Sequence, residues 1–180
     1  AKNPVSNITK KQLQDIYTGK IRNWKQLGGP DMPIHLISKE EGRSTLDLFI
    51  KYIDAEVEER QGKMFYRIKG SKNWSPVGAE IIGPNSMAIV RVSEEVGAIG
   101  YVSIGAAERA ERKLGKIKRL KLNGVEASRE NVRNKTYPII RPLNVITNGK
   151  PQGIIKEFID YLMSRPGQNI VKNLDYIPLR

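Results

Sequence analysis

In PIHLISKEEGRSTLDLFIKYI, residues 33–53, a short apolar run, a charged loop and an amphipathic stretch follow one another. No other feature of the chain constrains its fold as much. IHLIS is short and apolar, the pattern of a buried strand. Leu46, Phe49, Ile50 and Ile53 then recur at i, i+3, i+4 and i+7, which places them on one face of a helix. A buried strand that feeds an amphipathic helix belongs to layered α/β architecture.

Strand and helix patterns alternate along the rest of the chain. In NITKKQLQDIYTG, Thr9 is a predicted N-cap, Gln12 completes a capping box, Ile8 and Leu13 form a hydrophobic staple, and Gly19 ends the helix. IRNWKQLGGPDMP reads as loop. The signal is weakest over residues 56–83, which read as a polar helix end running into a loop-rich stretch. NSMAIVRVSEEVG reads as a short helix and AIGYVSI as a buried strand. KIKRLKLNGVEAS alternates, as an exposed strand pair around an Asn123-Gly124 turn does. YPIIRPLNVITNG is a strand or connector broken by Pro138 and Pro142. PQGIIKEFIDYLMS predicts a helix with Ile155, Phe158, Ile159 and Leu162 on one face, and a last helix follows from Pro166. The expected class is α/β.

At 180 residues the chain has the size of one domain or two small lobes. It contains no cysteine, which excludes disulfides, thiol chemistry and cysteine-type zinc sites. The single histidine, His35, sits in the first apolar run and reads as a structural strand residue. Trp24, Trp74 and Tyr101 read as core or loop packing. With no nucleophile–base pair and no metal constellation, the expectation is no enzyme and no cofactor. No apolar run reaches the eighteen or so residues of a membrane span, and AKNPVSNITKK lacks the apolar core of a signal peptide.

The net charge of +12 favours anions: nucleic acid, anionic lipid or small oxyanions. Seven of the thirteen residues in 109–121 are basic. That run has no aromatic residue to stack on bases, so a solvated helix end and exposed strand rank above a nucleic-acid stripe.

The loop after IHLIS is the best candidate site. A loop leaving the C-terminal end of a buried strand is where open α/β sheets bind ligands. The first N–H groups of the following helix, and its dipole, favour an anion. Lys39 and Arg43 add charge, Ser44 and Thr45 add hydroxyl donors, and Gly42 permits close backbone approach. Glu41 can accept a proton from a protonated oxyanion. Two other readings use the same residues. Ser44 can simply cap the helix with Asp47 closing a capping box, or Arg43 can fold onto Glu41 and neutralise the site.

Four segments resemble the phosphate-binding proteins of ABC transporters, within the type II periplasmic binding proteins. NPVSNITKKQLQDIYTGKIRNWKQLGG resembles the family's crossover segment and GAIGYV a strand of its second lobe. NGVEASRENVRNKTYPIIRPL resembles the return to the first lobe, and FIDYLMSRPGQNIVKNLDYIPL the C-terminal helices and tail. The resemblance implies a periplasmic-binding-protein-like α/β fold with one complete lobe and the C-terminal part of another. By it, residues 1–8 are the crossover segment, 9–136 the complete second lobe and 137–180 the C-terminal part of the first. It implies a solute-binding component that takes phosphate or a related oxyanion at Lys39, Glu41, Gly42, Arg43, Ser44 and Thr45. The partner is an ABC transporter permease, and the location is the periplasm or extracellular face, after export. The family's loop runs Arg, any residue, Asp or Glu, Gly, Ser, Gly, Thr. Here lysine stands for the arginine, Arg43 for the serine and Ser44 for the second glycine. Family members carry a further N-terminal portion, so a separate N-terminal segment or a second copy in trans is expected to cover the open first lobe. The other functions in view are a transport-inactive sensor or protein-interaction domain of this fold and, below both, a basic nucleic-acid-binding module.

Overall fold

The computed structural model describes residues 3–174 and 176–179. Ala1 and Lys2 of the expected crossover segment, and Asp175 and Arg180 of the tail, lie outside the described residues. One compact unit runs to Ile139 and a second begins at Ile140.

Among its described residues the first unit holds three small sheets. At its centre β2 (His35–Ser38) lies between β6 (Glu80–Ile81) and β7 (Ala98–Ile99), parallel to both. All three strands therefore end on the same side, which delivers Lys39, Gly83 and Tyr101 to one edge. The apolar run and the family-like GAIGYV strand share this sheet as expected, with His35 opposite Ala98 and Leu36 opposite Ile99. The strand in AIGYVSI is shorter than its sequence suggests, because the chain turns away after Ile99 to carry Tyr101 to the edge. His35 is a partly exposed strand residue whose Nε2 lies 3.4 Å from Glu95.

Helix α1 (Lys10–Tyr17) starts at the predicted capping box: Thr9 accepts from the Gln12 N–H and the Gln12 side chain accepts from the Thr9 N–H. In the expected loop that follows, residues Trp24–Leu27 form a 3-10 turn capped by Asn23. Trp24 is buried there, its indole N–H donating to the Gly97 carbonyl at 2.8 Å. Helix α2 (Ser44–Tyr52) buries Leu46 and Phe49 on its predicted face, with Ile53 just beyond its end. Phe49 stacks on Tyr101 with ring centroids 4.0 Å apart, and Tyr17 meets Phe49 edge-on at 4.6 Å.

The stretch read as helix end and loop is an antiparallel sheet. β3 (Ala55–Arg60) pairs along its whole length with β4 (Lys63–Ile68), and β5 (Ser75–Pro76) adds to the far side of β4. Four glutamates and arginines in β3 mask the alternation. Met64 and Tyr66 of β4 carry the inward face and are fully buried. On the outward face Trp74 lies 5.3 Å from the Arg60 guanidinium and 4.6 Å from that of Arg67, while Glu58 and Glu56 pair with these arginines. That packing suits a guanidinium on an aromatic face.

Helices α3 (Asn85–Glu94) and α4 (Ile104–Leu114) follow. The expected exposed strand pair after α4 is mostly absent. β8 (Lys121–Leu122) instead runs parallel to β1 (Asn7–Ile8) and buries Leu122, and only a single bridge to Val125 remains of the return strand. Part of the basic run is drawn into the fold. Arg119 pairs with Glu111 at 2.8 Å and Glu108 at 3.6 Å, and the Lys118 ammonium donates to the Asn3 carbonyl. A short α5 (Arg129–Arg133) ends this unit's regular structure.

The second unit begins with a stretch that lies outside helices and strands. It continues into α6 (Gly153–Met163) and α7 (Arg165–Asn173). Ser164 caps α7, and Gln168 ties the end of α6 to the C-terminal tail. Its amide donates to Leu162 O at 2.9 Å and accepts from Leu179 N–H at 2.8 Å. The apolar stripe of α6 is present as predicted, but no residue of the helix is buried. No described helix is long and apolar enough to cross a membrane.

Candidate functional site

Three strand ends and one helix start meet at the loop 39–43. Beneath it lies a hydroxyl cluster. Ser38, the last residue of β2, shares hydrogen bonds with Tyr66 Oη at 2.6 Å and Tyr101 Oη at 3.0 Å. The Tyr101 hydroxyl also accepts from the Lys39 N–H at 3.3 Å, and Tyr17 donates to Ile37 O at 3.3 Å. Burial pushes the Tyr17, Tyr66 and Tyr101 hydroxyls above the ordinary phenol value, so they stay protonated and act as fixed dipoles.

Lys39 enters this edge as a buried cation. Only 1% of it is exposed, and its Nζ donates to Gly83 O at 3.1 Å. Gly83 follows β6, whose pairing with β2 continues through Ile82 N–H to Ser38 O at 3.0 Å. Burial first, and the Arg43 charge second, lower the Lys39 ammonium to about 8, against a smaller opposing pull from Glu40. A single carbonyl is a thin shell for a buried ammonium, which retains further donors.

Arg43 binds Glu40. Its Nη2 lies 2.8 Å and its Nε 3.1 Å from one oxygen, Oε2, and both side chains are half exposed. The expected alternative partner, Glu41, points elsewhere and accepts the Glu59 N–H of β3 at 3.1 Å. The Glu40–Arg43 pair rests on Gly83, where a Cβ would stand 2.2 Å from Glu40 Oε2 and 2.6 Å from Arg43 Nη2, so a side chain there would displace the ends of these two side chains. Gly42 has a left-handed backbone, φ +79, and nothing within 4 Å of where its Cβ would be. Its conformation, and no crowding by the protein, requires the glycine.

Ser44 does not cap α2. It is the first helical residue, and the N-cap is Arg43, which makes no side-chain capping bond. The Arg43 carbonyl takes the N–H groups of Leu46 and Asp47 at 2.8 and 3.2 Å. The helix start is exposed at Ser44 and half-buried at Thr45. Lys39, Arg43, Ser44 and Thr45 thus come to one edge, while the Glu41 side chain is engaged with β3. Sequence reasoning missed Ser38, Glu40, Tyr66, Gly83 and Tyr101. Ser38 and Glu40 flank Lys39 directly. Tyr66, Gly83 and Tyr101 are brought in by strand pairing that local spacing does not reveal.

A buried lysine at the end of a parallel strand, beside an uncapped helix start, is an arrangement suited to a small anion. Residues 1–166 match the family described as the PBP superfamily domain, and the chain belongs to that superfamily. More particularly, it is similar to the phosphate-binding protein PstS of Bacillus subtilis, 32% identical over 177 residues, which are 97% of this chain and 51% of that protein. Among solved structures it is similar to a protein from Clostridium perfringens described as a phosphate ABC transporter substrate-binding protein with bound phosphate. That match has 34% identity and a TM-score of 0.73, and covers 99% of this chain and 65% of that one. An ABC-type phosphate transport receptor from Vibrio cholerae matches at 27% identity and a TM-score of 0.72, covering 97% and 65%. The fold is thus that of the phosphate receptors, represented by part of their length: the chain spans about half of the Bacillus relative.

Proposed function

We propose that this chain is the anion-binding portion of a solute-binding protein, non-catalytic and exported, which takes phosphate or a related oxyanion at the loop 39–45 for an ABC transporter permease. In this reading residues 9–136 are the complete second lobe, 137–180 belong to the first, and 1–8 cross between them. The observation that carries the reading is the buried Lys39 ammonium, held at the C-terminal end of β2 next to the uncapped start of α2. The naming of the Bacillus, Clostridium and Vibrio relatives as phosphate proteins supports the choice of anion.

The geometry supports a particular ligand set. Lys39 supplies charge from below, and Ser44 and Thr45 supply N–H and hydroxyl donors. Arg43 supplies a guanidinium once it leaves Glu40. An exposed ion pair contributes about 0–1 kcal/mol, so that exchange costs little. Two charge-assisted hydrogen bonds at about 1.5–3 kcal/mol each, with a helix terminus at about 0.3–1, give roughly 3–7 kcal/mol. This corresponds to a dissociation constant between several millimolar and about ten micromolar. Titration calorimetry of the chain against phosphate, sulfate, arsenate and tungstate tests the reading. Phosphate or arsenate binding in that range is expected, and no heat with any of the four overturns it.

The Glu40–Arg43 pair also favours a second reading, in which the fold is kept as a sensor or protein-interaction domain with a silenced loop. Nucleic-acid binding ranks below both, because Lys118 and Arg119 of the basic run are held by Asn3, Glu108 and Glu111.

A further inference from the structure

The sequence contains two Asn-Gly pairs, Asn123-Gly124 and Asn148-Gly149. The backbone nitrogen that follows an asparagine lies within reach of the side-chain Cγ, and a glycine there puts no Cβ in the way of attack. Whether the two atoms meet depends on what else holds them. At Asn123-Gly124 both are held. The pair makes a tight turn with φ +50 and +83, closed by Leu122 and Val125, whose N–H groups each donate to the other's carbonyl at 2.9 Å. The Asn123 Oδ1 accepts the Lys10 N–H at 3.1 Å, and its Nδ2 donates to Tyr52 Oη at 3.1 Å. The Gly124 N–H donates to Asn7 Oδ1 at 2.7 Å. Electrophile and nucleophile are thus both engaged with other partners.

At Asn148-Gly149 neither is held. Both residues are exposed, and among the described residues no hydrogen bond engages the Asn148 carboxamide or the Gly149 N–H. The bond across the pair runs from Thr147 Oγ1 to the Gly149 carbonyl at 2.8 Å and leaves the reacting atoms alone. Gly149 has φ +80 and nothing within 4 Å of where a Cβ would stand, so no described neighbour shields its nitrogen.

We propose that Asn148 is a site of spontaneous deamidation. The Gly149 nitrogen gives its proton to solvent base and bonds to Asn148 Cγ. The Cγ–Nδ2 bond breaks, and the carboxamide nitrogen takes up a proton and leaves as ammonia. Water then opens the succinimide ring at either carbonyl, which leaves aspartate or isoaspartate at 148. Water is the only co-reactant. A carboxylate replaces a neutral side chain, so each event lowers the net charge of +12 by one. The isoaspartyl product also lengthens the backbone by a methylene just ahead of Pro151 and α6. Nothing in this inference depends on the anion at loop 39–45.

Peptide mapping by mass spectrometry tests it. The 180-residue chain is aged in mildly alkaline buffer, folded and in urea, and conversion is followed separately at 148 and 123. Methylation by an isoaspartyl methyltransferase with labelled S-adenosylmethionine marks the isoaspartate formed. In urea the two pairs should convert at comparable rates, because both are then free. In the folded chain Asn148 should keep its unfolded rate within about threefold, while Asn123, which reacts only from a locally opened form, should slow by at least about tenfold. Both isomers should appear at 148. Gly149→Ala places a Cβ beside the attacking nitrogen and should slow Asn148 at least about tenfold without altering Asn123. Equal rates at the two positions in the folded chain overturn the proposal. So does an Asn148 that the fold protects as strongly as Asn123. An Asn148 rate untouched by Gly149→Ala means direct hydrolysis of the side chain and overturns the route through the ring.

Discussion

Helices α2 and α6 carry apolar stripes of the same kind and meet opposite surroundings. In α2, Leu46 and Phe49 are sealed against Tyr17, Tyr66 and Tyr101, and the seal fixes the position of the loop before the helix. In α6 no residue is buried: Ile155 and Phe158 of its stripe are more than half exposed, and Ile159 and Leu162 are half-buried. An amphipathic pattern therefore states a requirement for a partner surface. It does not say whether the same stretch of chain provides one. The helix whose partner is present holds the candidate loop in place, while the other leaves Ile154, Ile155, Phe158 and Tyr161 more than half exposed.

Truncating a ring on each helix is the harshest test of that contrast. Phe49→Ala removes a buried ring stacked on Tyr101, and should cost about 3–5 kcal/mol, seen as a lower midpoint in urea. Phe158→Ala should lower the unfolding free energy by no more than about 0.5 kcal/mol, with a correspondingly small change in that midpoint. Equal losses would mean that α6 is packed in solution.

The sequence revealed the two helices equally well, because a 3.6-residue period is local information. It also showed the β2–loop–α2 unit and the capping box at Thr9. The β3–β4 hairpin was hidden, since Glu56, Glu58 and Glu59 occupy outward and edge positions where charge is tolerated and break the apolar signal. β8 was found as a strand but given the wrong neighbour: its partner β1 lies more than a hundred residues away, and local alternation does not name a distant partner. The same limit governs the site. Lys39 and Arg43 were visible as loop cations. Their actual partners, the Gly83 carbonyl and Glu40, depend on β6 lying beside β2 and on which way two adjacent glutamates turn. Glu41 and Glu40 are indistinguishable by spacing alone.

The next test concerns what holds the loop. Ser38→Ala removes the shared partner of Tyr66 and Tyr101 beneath Lys39. Leaving those buried hydroxyls short of a partner should cost about 1–3 kcal/mol in unfolding free energy. An unchanged urea midpoint would show that the hydroxyl cluster does not set the loop.

Lys39 then separates the site's two roles by pH. Its ammonium is lowered to about 8 in the folded chain, against 10.5 ordinarily. A base whose folded value is depressed disfavours the fold while protonated. That penalty is fully present below about 8 and disappears as pH rises toward 10.5. Anion binding needs the protonated form, so affinity is full below about 8 and falls above it. Stability and affinity should therefore move in opposite directions between pH 8 and 10.5, measured by denaturation and calorimetry. Lys39→Met should flatten the stability trend and weaken phosphate by about 1.5–3 kcal/mol at pH 7. Parallel trends in the wild-type chain would exclude Lys39 as the ligand cation.

The smallest expected effect is the most discriminating. Arg43 is held by Glu40, so the loop offers an anion one free cation, Lys39, and one engaged one. Glu40→Gln removes the competing carboxylate and releases the guanidinium. Phosphate affinity should rise by up to about 1 kcal/mol, the worth of an exposed pair. Arg43→Ser places the residue of the resembling family at this position, but it leaves Glu40 unopposed beside the anion. If Arg43 serves the ligand, affinity should fall by a similar amount. If Arg43 only blocks the loop, Arg43→Ser should raise affinity and Glu40→Gln should do nothing. The double variant closes the cycle: a coupling near zero means that the two side chains act on the anion independently, and a clear coupling means that they act as a pair. Calorimetry on the four proteins at one salt concentration gives all the terms. If none of the variants changes phosphate binding, the start of α2 is a helix start and no more, and the contrast with α6 concerns packing alone.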